Sequence, residues 1–536
     1  MPHHIVLATL NARYMHASLG LRYLLANMQR HGGQAVADCA VLREFTIQTP
    51  PADIAAALIA ECGPPSAGDV HVIGLGIYIW NVEQSLALVQ ALRAQRPEIR
   101  IVLGGPEVSY EPDTQPIVAL ADHVITGWGD VSFPKLCSAL LFGPRPLMKT
   151  IAGEQPPLNE IALPYAHYSE TDLAQRVLYV EASRGCPFKC AFCLSALDKT
   201  AWAFELEEFL AALDDLYARG ARTFKFVDRT FNLKIEASVR ILEFFLDKLE
   251  RDPDAPLFVH FELIPDQLPA RLQDCIARFP AGVLQFEIGI QSLNPQVQSG
   301  ISRRQDGART AANVRWLVQH SQAHLHTDLI FGLPGESWDS FATGFDELWS
   351  WGPHEIQLGI LKRLRGTPLA QQDLAGDPLT RGMVYHHAPP YTVLQTDVLS
   401  AAEVQAFTRL ARYWDLVANS GRFGRSLPLL LQGPSAFAAF AGFAAWLWTD
   451  TGSTAGLTPE RLTDALFDYL CGPRQCDPAA VRAALLADYL ASGARAKPHC
   501  LREVLPRTIA TTARASQVAA RQRLHRDTAP VATLEN

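Results

Sequence analysis

The chain has 536 residues, 47 basic against 55 acidic side chains, a formal net charge of −8 and 48% hydrophobic content. That length predicts two to four domains with sizeable buried cores, and the composition excludes a disordered chain. An acidic balance gives no global pull toward nucleic acid, and ten cysteines in so long a chain do not make a disulfide framework.

Residues 1–10 lack a basic region followed by a long apolar core, so no secretory signal is expected. Apolar runs then alternate with helical patterns: strands at 5–10, 35–41, 70–77, 99–103 and 123–126, helices at 19–30, 51–61, 83–93 and 133–141. Five such units with short loops predict a doubly wound, Rossmann-like or flavodoxin-like α/β domain, whose ligands lie at the carboxyl ends of the strands. The turns at those ends are polar or glycine-rich. Asn11 follows the first strand and Trp80 the third; Gly104-Gly105-Pro106-Glu107 follows the fourth and Gly127-Trp128-Gly129-Asp130 the fifth. Glycines there would let backbone amides approach a bulky ligand, although any doubly wound domain carries glycines in such turns.

Residues 143–164 carry Pro144, Pro146, Pro156, Pro157 and Pro164, which predicts an extended connector. Alternation resumes with strands at 177–183, 221–228, 257–263, 283–290, 325–331 and 355–361, and helices at 205–219, 237–251, 306–320 and 341–351. Six parallel units in a segment this short predict a partial, open (β/α)6 barrel with its chemistry at the carboxyl mouth. Directly after the first of these strands comes Gly185-Cys186-Pro187-Phe188-Lys189-Cys190-Ala191-Phe192-Cys193, a C-x3-C-x2-C triplet. Three thiolates on one short loop can hold three irons of a [4Fe–4S] cube and leave the fourth open. A structural zinc site wants four closed ligands, generally as two pairs, and no second pair lies nearby. The remaining cysteines are scattered and read mostly as small buried hydrophobes.

Beyond 370 the strand pattern stops. Residues 374–390 look loop-like, and helices are expected at 400–420, 435–449, 459–470 and 478–492, several with Asp, Ser or Thr near their starts. The apolar stretch 427–448 is broken by Gln432-Gly433-Pro434, and the remainder is too short to cross a bilayer. A buried helix is expected there, with Trp414, Phe437, Phe440, Phe443 and Trp446 in core stripes. The end of the chain, 509–536, is polar and mildly basic and is expected to be loosely ordered. Domain boundaries are therefore expected at 1–142, 143–172, 173–370 and 371–536.

The cysteine triplet resembles the signature of the radical S-adenosylmethionine (SAM) enzymes. Later strand ends are similar to that family in order: Phe226-Val227-Asp228-Arg229-Thr230-Phe231-Asn232, then Glu287-Ile288-Gly289-Ile290-Gln291-Ser292, then Asp328-Leu329-Ile330-Phe331-Gly332-Leu333-Pro334-Gly335-Glu336. A doubly wound domain directly ahead of such a core resembles the cobalamin (B12)-binding domain of the B12-dependent radical SAM enzymes. The C-terminal helices resemble a domain of unassigned role attached to such proteins, which implies no substrate.

The resemblance implies that Cys186, Cys190 and Cys193 ligate a [4Fe–4S] cluster whose free iron takes the amino and carboxylate groups of SAM. It implies Phe192, Asp228, Glu262, Glu287, Gln291 and Lys362 around SAM. Cobalamin would meet Asn11, Trp80, Gly104, Gly105 and Glu107, together with Gly127, Trp128 and Gly129. Plainer readings stand beside these: Phe192 as packing, Glu262 and Lys362 as structural ion pairs, Arg363 and Arg365 as a solvated face. Buried carboxylates need partners, for which Arg184, Arg229, Lys362 and Arg365 are candidates. The loop after the first strand departs from the B12 domains that supply an axial histidine, because His16 lacks the aspartate that orients a ligating imidazole. Cobalamin is expected without a histidine ligand, and His16 in loop packing or solvent.

The activity implied is reductive cleavage of SAM and methylation of an unactivated carbon of a small molecule. Cyclisation, oxidation or rearrangement with the same cofactors is the alternative, and a non-catalytic corrin- or metal-binding sensor is the alternative of another class. Methylthiolation of tRNA is disfavoured, since neither a second cysteine triplet nor a basic β-rich tail is seen. The implied partners are a small-molecule substrate and an electron donor such as flavodoxin or ferredoxin, with neither membrane nor nucleic acid. A cluster needs reducing conditions, which points to the cytoplasm.

Overall fold

The computed structural model describes residues 4–65, 68–254, 256–494, 496–505 and 525. The chain forms two compact units: Met1–Glu262 with Lys362–Asp377 and Tyr385–Thr392, and Leu263–Leu361 with Pro378–Val384 and Val393–Asn536.

The first unit begins with β1 (His4–Asn11), β2 (Ala40–Thr46), β3 (His71–Gly76), β4 (Arg100–Gly104), β5 (His123–Thr126) and β6 (Thr150–Ala152). They pair in parallel in the order β2-β1-β3-β4-β5-β6. The chain reverses its direction of winding between β1 and β3, the kind of switch point that opens a crevice for a ligand. Successive residues of β1 serve opposite faces: Ile5 and Leu7 join one core cluster, Val6, Ala8 and Leu10 the other. This two-sided burial is why β1 reads as an unbroken apolar run. The helix Leu19–Gly32 that follows is capped by Ser18, whose side chain accepts from the Leu21 amide.

Two expectations are corrected here. Residues 35–41 are not a strand: Gln34–Ala37 is a helical turn entered through Gly33 at φ +92°, and the strand is Ala40–Thr46. As an edge strand, β2 carries the charged Arg43 and Glu44, which broke the apolar pattern. The proline-rich connector is not purely a surface linker either, because Thr150–Ala152 extends the sheet beside β5.

The unit continues with β7 (Leu178–Val180), β10 (Thr223–Phe226) and β11 (Phe258–Leu263), with β10 parallel to both of the others. Between β7 and β10, β8 (Ser183–Arg184) and β9 (Trp202–Ala203) pair antiparallel and close the loop that holds the three cysteines.

In the second unit β12 (Leu284–Gln291), β13 (His324–Phe331) and β14 (Glu355–Ile360) are parallel, with an irregularity between Gly289 and Gln291. Helices Ala401–Val417, Ala436–Thr451, Pro459–Cys471 and Pro478–Ala491 follow. Ser400 and Glu403 make a reciprocal capping box at the first. Trp414 fills the centre of this layer, 4.9 Å from Phe345 and 4.8 Å from Phe440 between ring centroids. Phe437 and Phe443 are buried with it, while Trp446 is half-buried beside Tyr469. Among the described residues no helix is long and apolar enough to cross a membrane. The expectation of a loose tail at 509–536 lies outside the described residues, His525 excepted.

Candidate functional site

Cys186 and Cys190 are buried and Cys193 is partly exposed, all on the loop between β8 and β9. Gly185 enters the loop at φ +85°, and a Cβ there would stand 2.6 Å from Thr200 Oγ1, so no other residue fits. The Cys186 amide donates to the Asp198 carbonyl (2.9 Å) and the Cys193 amide to the Cys190 carbonyl (3.1 Å), which fixes the turn. The Leu369 amide anchors the loop from outside by donating to the Ala191 carbonyl at 2.8 Å. Burial raises the Cys186 thiol, the Phe188 amide lowers it, and proximity to Cys193 and Cys190 raises it again. Three sulfurs that repel one another's negative charge form a donor set suited to a cationic metal centre. Phe192 is half-buried within the triplet.

A cavity of about 320 Å³ opens at the carboxyl ends of β3, β4 and β5. Gly104, Gly105, Gly127, Trp128 and Gly129 line it. Their glycines have different reasons. A Cβ on Gly105 (φ +107°) would lie 2.5 Å from the Ile77 carbonyl oxygen, so protein packing excludes it. A Cβ on Gly127 (φ +73°) would meet nothing within 4 Å. Asn11, Trp80 and Glu107 are not among the lining residues. Asn11 Nδ2 donates to the His16 carbonyl (2.8 Å) and to Glu44 Oε1 (2.9 Å). Trp80 is 46% exposed and stacks at 4.4 Å on Tyr78, which does line the cavity. Glu107 is buried and accepts from Arg365 Nε (3.0 Å) and the Tyr391 hydroxyl (2.8 Å). His16 neither faces solvent nor packs within its own loop alone: its Nδ1 lies 2.7 Å from the hydroxyl of Tyr179 on β7.

The cavity wall also contains a charged group that the sequence reading placed only as a candidate partner for carboxylates. Arg184 bridges Asp130 and Glu181, at 2.7 Å each, and its guanidinium lies over the rings of Tyr23 (4.3 Å) and Trp128 (4.9 Å). The signal available was a Glu181 to Arg184 charge pair at the end of an otherwise apolar strand. Trp128 Nε1 donates to Asp198 Oδ2 at 2.8 Å. The residue that receives the Cys186 amide thus also holds the cavity's indole.

Around the cysteine loop, Asp228 is buried at the end of β10, and accepts from the Ala182 amide (3.0 Å) and the Ser183 hydroxyl (2.5 Å). Burial pushes its carboxyl up to about 7, against the pull of those donors. Glu262 pairs with Arg229 at 2.7 Å. The Lys362 side chain is exposed, and its backbone bridges Thr392. Arg363 and Arg365 correct the expectation of a solvated face: both are half-buried, Arg363 on Glu111 (3.3 Å) and Asp373 (3.2 Å), Arg365 on Glu107 (3.0 Å) and Glu111 (3.0 Å).

In the second unit Glu287 is half-buried on β12. Gln291, the last residue of that strand, has φ +70°, and its Oε1 is buried without a hydrogen-bond partner. A left-handed non-glycine residue with an orphaned acceptor marks strain of the kind kept for a ligand. Ser292 next to it donates to Glu336 Oε1 at 2.5 Å, joining two of the motif segments, and burial pushes the Glu336 carboxyl up to about 7.

Three family matches tile the chain: the B12 binding domain over residues 5–137, the Radical SAM superfamily over 180–348, and Protein of unknown function (DUF4080) over 381–529. Among curated proteins the chain is 25% identical over 327 residues to the cobalamin-dependent radical SAM methyltransferase TokK of Streptomyces tokunonensis, covering 54% of this chain and 47% of that protein. The chain thus spans about half the length of the curated relatives it matches. Among solved structures it resembles the radical SAM methyltransferase TsrM of Kitasatospora setae, with tryptophan substrate and aza-SAM bound, at TM-score 0.55 and 16% identity over 74% of this chain and 80% of that one. It also resembles the cobalamin-dependent SAM radical enzyme OxsB, with aqua-cobalamin and SAM bound, at TM-score 0.59 and 11% identity over 98% of this chain and 84% of that one. These likenesses identify the fold: a doubly wound B12-type domain, a central partial (β/α)6 radical SAM barrel and a helical C-terminal region.

Proposed function

Starting from the membership of this chain in the B12-binding-domain-containing radical SAM enzymes, we propose that it is a cobalamin-dependent methyltransferase acting on an unactivated carbon of a small molecule. The observation that carries this reading is Asp198. Its carboxylate holds Trp128 of the cavity wall and its carbonyl holds Cys186 of the triplet, so one residue ties the two cofactor sites together.

The residues fit the cofactors. Cys186, Cys190 and Cys193 offer three sulfurs on one short loop, as a [4Fe–4S] cluster with an open iron requires. The cavity offers a glycine-lined rim to a corrin, with open space at Gly127. When bound, the cluster supplies the electron that splits a carbon–sulfur bond of SAM, and the corrin supplies a transferable methyl group.

The protein's own residues bind, orient and exclude water. Asp228 fixes Ala182 and Ser183 and thereby the strand that feeds the cysteine loop. Arg184, neutralised by Asp130 and Glu181, presents a rigid wall to the corrin with Trp128 stacked on it. Arg229 neutralises Glu262 at the end of β11. Gln291 offers an unsatisfied amide oxygen to a donor on SAM. A flavodoxin- or ferredoxin-class donor provides the electron, and the reducing cytoplasm suits a cluster bound by free thiolates.

The test is anaerobic reconstitution with iron, sulfide and cobalamin, followed by incubation with SAM, reductant and cell metabolites. The expected result is retained corrin, 5′-deoxyadenosine formation and a metabolite whose mass rises by one CH2 per turnover. Consumption of a metabolite without that gain transfers the reading to cyclisation, oxidation or rearrangement. Absence of 5′-deoxyadenosine leaves only a corrin- or metal-binding sensor.

A further inference from the structure

The second unit gathers four histidines around one carboxylate. Glu355 is the first residue of β14 and only 2% exposed. Its Oε1 lies 3.0 Å from His324 Nε2, 3.0 Å from His326 Nε2 and 3.7 Å from His525 Nε2. One donor atom each from His324, Glu355 and His525 fall within 4.8 Å of one another. Bonds of zinc length in a tetrahedron set ligand atoms about 3.3 Å apart, a spacing these distances bracket.

The neighbouring groups sort the cluster into ligands and supports. Gln357 Nε2 donates to His326 Nδ1 at 2.9 Å, which leaves the ring proton of a neutral imidazole on Nε2. From there it donates to Glu355, so His326 orients the carboxylate in the manner of an outer-sphere partner. The Leu325 amide donates to His354 Nδ1 at 3.1 Å, and that ring packs on His324 at 4.7 Å.

We infer that His324 Nε2, the Glu355 carboxylate and His525 Nε2 form a second metal site, taking a divalent transition ion of the zinc class with water in the remaining position. Two imidazoles and one carboxylate select such an ion over magnesium or calcium, which want oxygen ligands. His525 Nε2 also lies 3.1 Å from the Asn419 carbonyl, and ligation exchanges that hydrogen bond for a metal bond. The site is structural rather than catalytic. His324 and Glu355 begin β13 and β14, whereas the motif from Asp328 to Glu336 leaves β13 at its other end, and this 8-residue strand is about 23 Å long. The ion therefore staples His525 to the amino ends of β13 and β14, at the opposite end of β13 from the Gly332–Glu336 turn. This inference uses the second unit alone and stands or falls separately from the proposed reaction.

Full-length protein, reconstituted anaerobically so that iron occupies the cysteines, is dialysed against a weak chelator and assayed for zinc and iron. One zinc per chain is expected beside the cluster iron. In His525→Ala, zinc affinity is expected to fall about tenfold or more, with cluster iron and 5′-deoxyadenosine formation retained. His326→Gln weakens zinc less, and Glu355→Gln abolishes it. Cobalt substituted for the zinc should give visible ligand-field bands with no thiolate charge-transfer band, which separates this site from adventitious metal on cysteine. Wild-type protein without zinc, zinc binding unchanged in both His525→Ala and Glu355→Gln, or a thiolate band in the cobalt spectrum would each overturn the inference.

Discussion

Asp228 shows how one buried carboxylate sets the pH response of the strand that feeds the cysteine loop. Burial disfavours its charge more than the Ser183 hydroxyl and Ala182 amide favour it, so its folded-state pKa is about 7 against about 3.9 in the unfolded chain. Between those values the folded protein keeps a proton that the unfolded chain has lost. Stability therefore falls as pH rises from about 4 to about 7 and is level in this respect above it. Asp228→Asn carries no such proton and should show a flatter thermal-melting profile over that window. Its amide still accepts one of the two hydrogen bonds, so the loop should keep its course while cluster retention drops modestly. A variant whose melting temperature tracks the wild type at every pH would show that Asp228 is not the group responsible.

The turns after β4 and β5 separate two uses of glycine that look alike in a sequence. Gly105→Ala puts a Cβ 2.5 Å from the Ile77 carbonyl oxygen at a positive φ, and is expected to destabilise by about 2 kcal/mol or more, read from the denaturation midpoint. Gly127→Ala, with nothing within 4 Å of its Cβ, should lose only about 1 kcal/mol for the left-handed backbone while weakening corrin binding, because the methyl group stands at the cavity rim. Equal losses of stability with unchanged corrin retention would remove the distinction. The same contrast explains what was legible beforehand. Strands buried on both faces, such as β1 and β3, announce themselves as continuous apolar runs, and the cysteine spacing is a local pattern that needs no tertiary knowledge. The charged edge strand β2 and the short edge strand β6 carry no such run. Contacts between residues distant in sequence were not legible either. Trp128 meets Asp198 across 70 positions and Arg184 meets Asp130 across 54, and no periodicity encodes either pairing. Asn11, Trp80 and Glu107 sit at strand ends as expected, yet a strand end specifies only where a residue lies, and hydrogen bonds to Glu44, stacking on Tyr78 and an ion pair with Arg365 turn their side chains to other work.

At the scale of the molecule, segments far apart in the chain are joined by buried charge. Arg22 on the first helix reaches Glu44 of β2 (2.8 Å) and Asp172 just ahead of β7 (2.7 Å), and Arg176 reaches the same two carboxylates (2.9 and 3.3 Å). Two guanidinium groups and two carboxylates balance, which is what permits all four to lie out of water. Burial pushes Glu44 and Asp172 up, but Arg22 and the surrounding donors outweigh it and hold both below the usual carboxylate range. Their stabilising contribution is thus present above about pH 4 and fades as pH falls through the depressed folded values. Arg22→Met preserves the packing of the stem but leaves two buried carboxylates sharing one cation, and should lower stability by about 3 kcal/mol at pH 7. That deficit should shrink in acid, because protonated carboxylates no longer need the missing guanidinium. A deficit that stays constant from neutral to acidic pH would instead assign the loss to packing of the side chain on Tyr168, whose ring lies 4.8 Å from the Arg22 guanidinium.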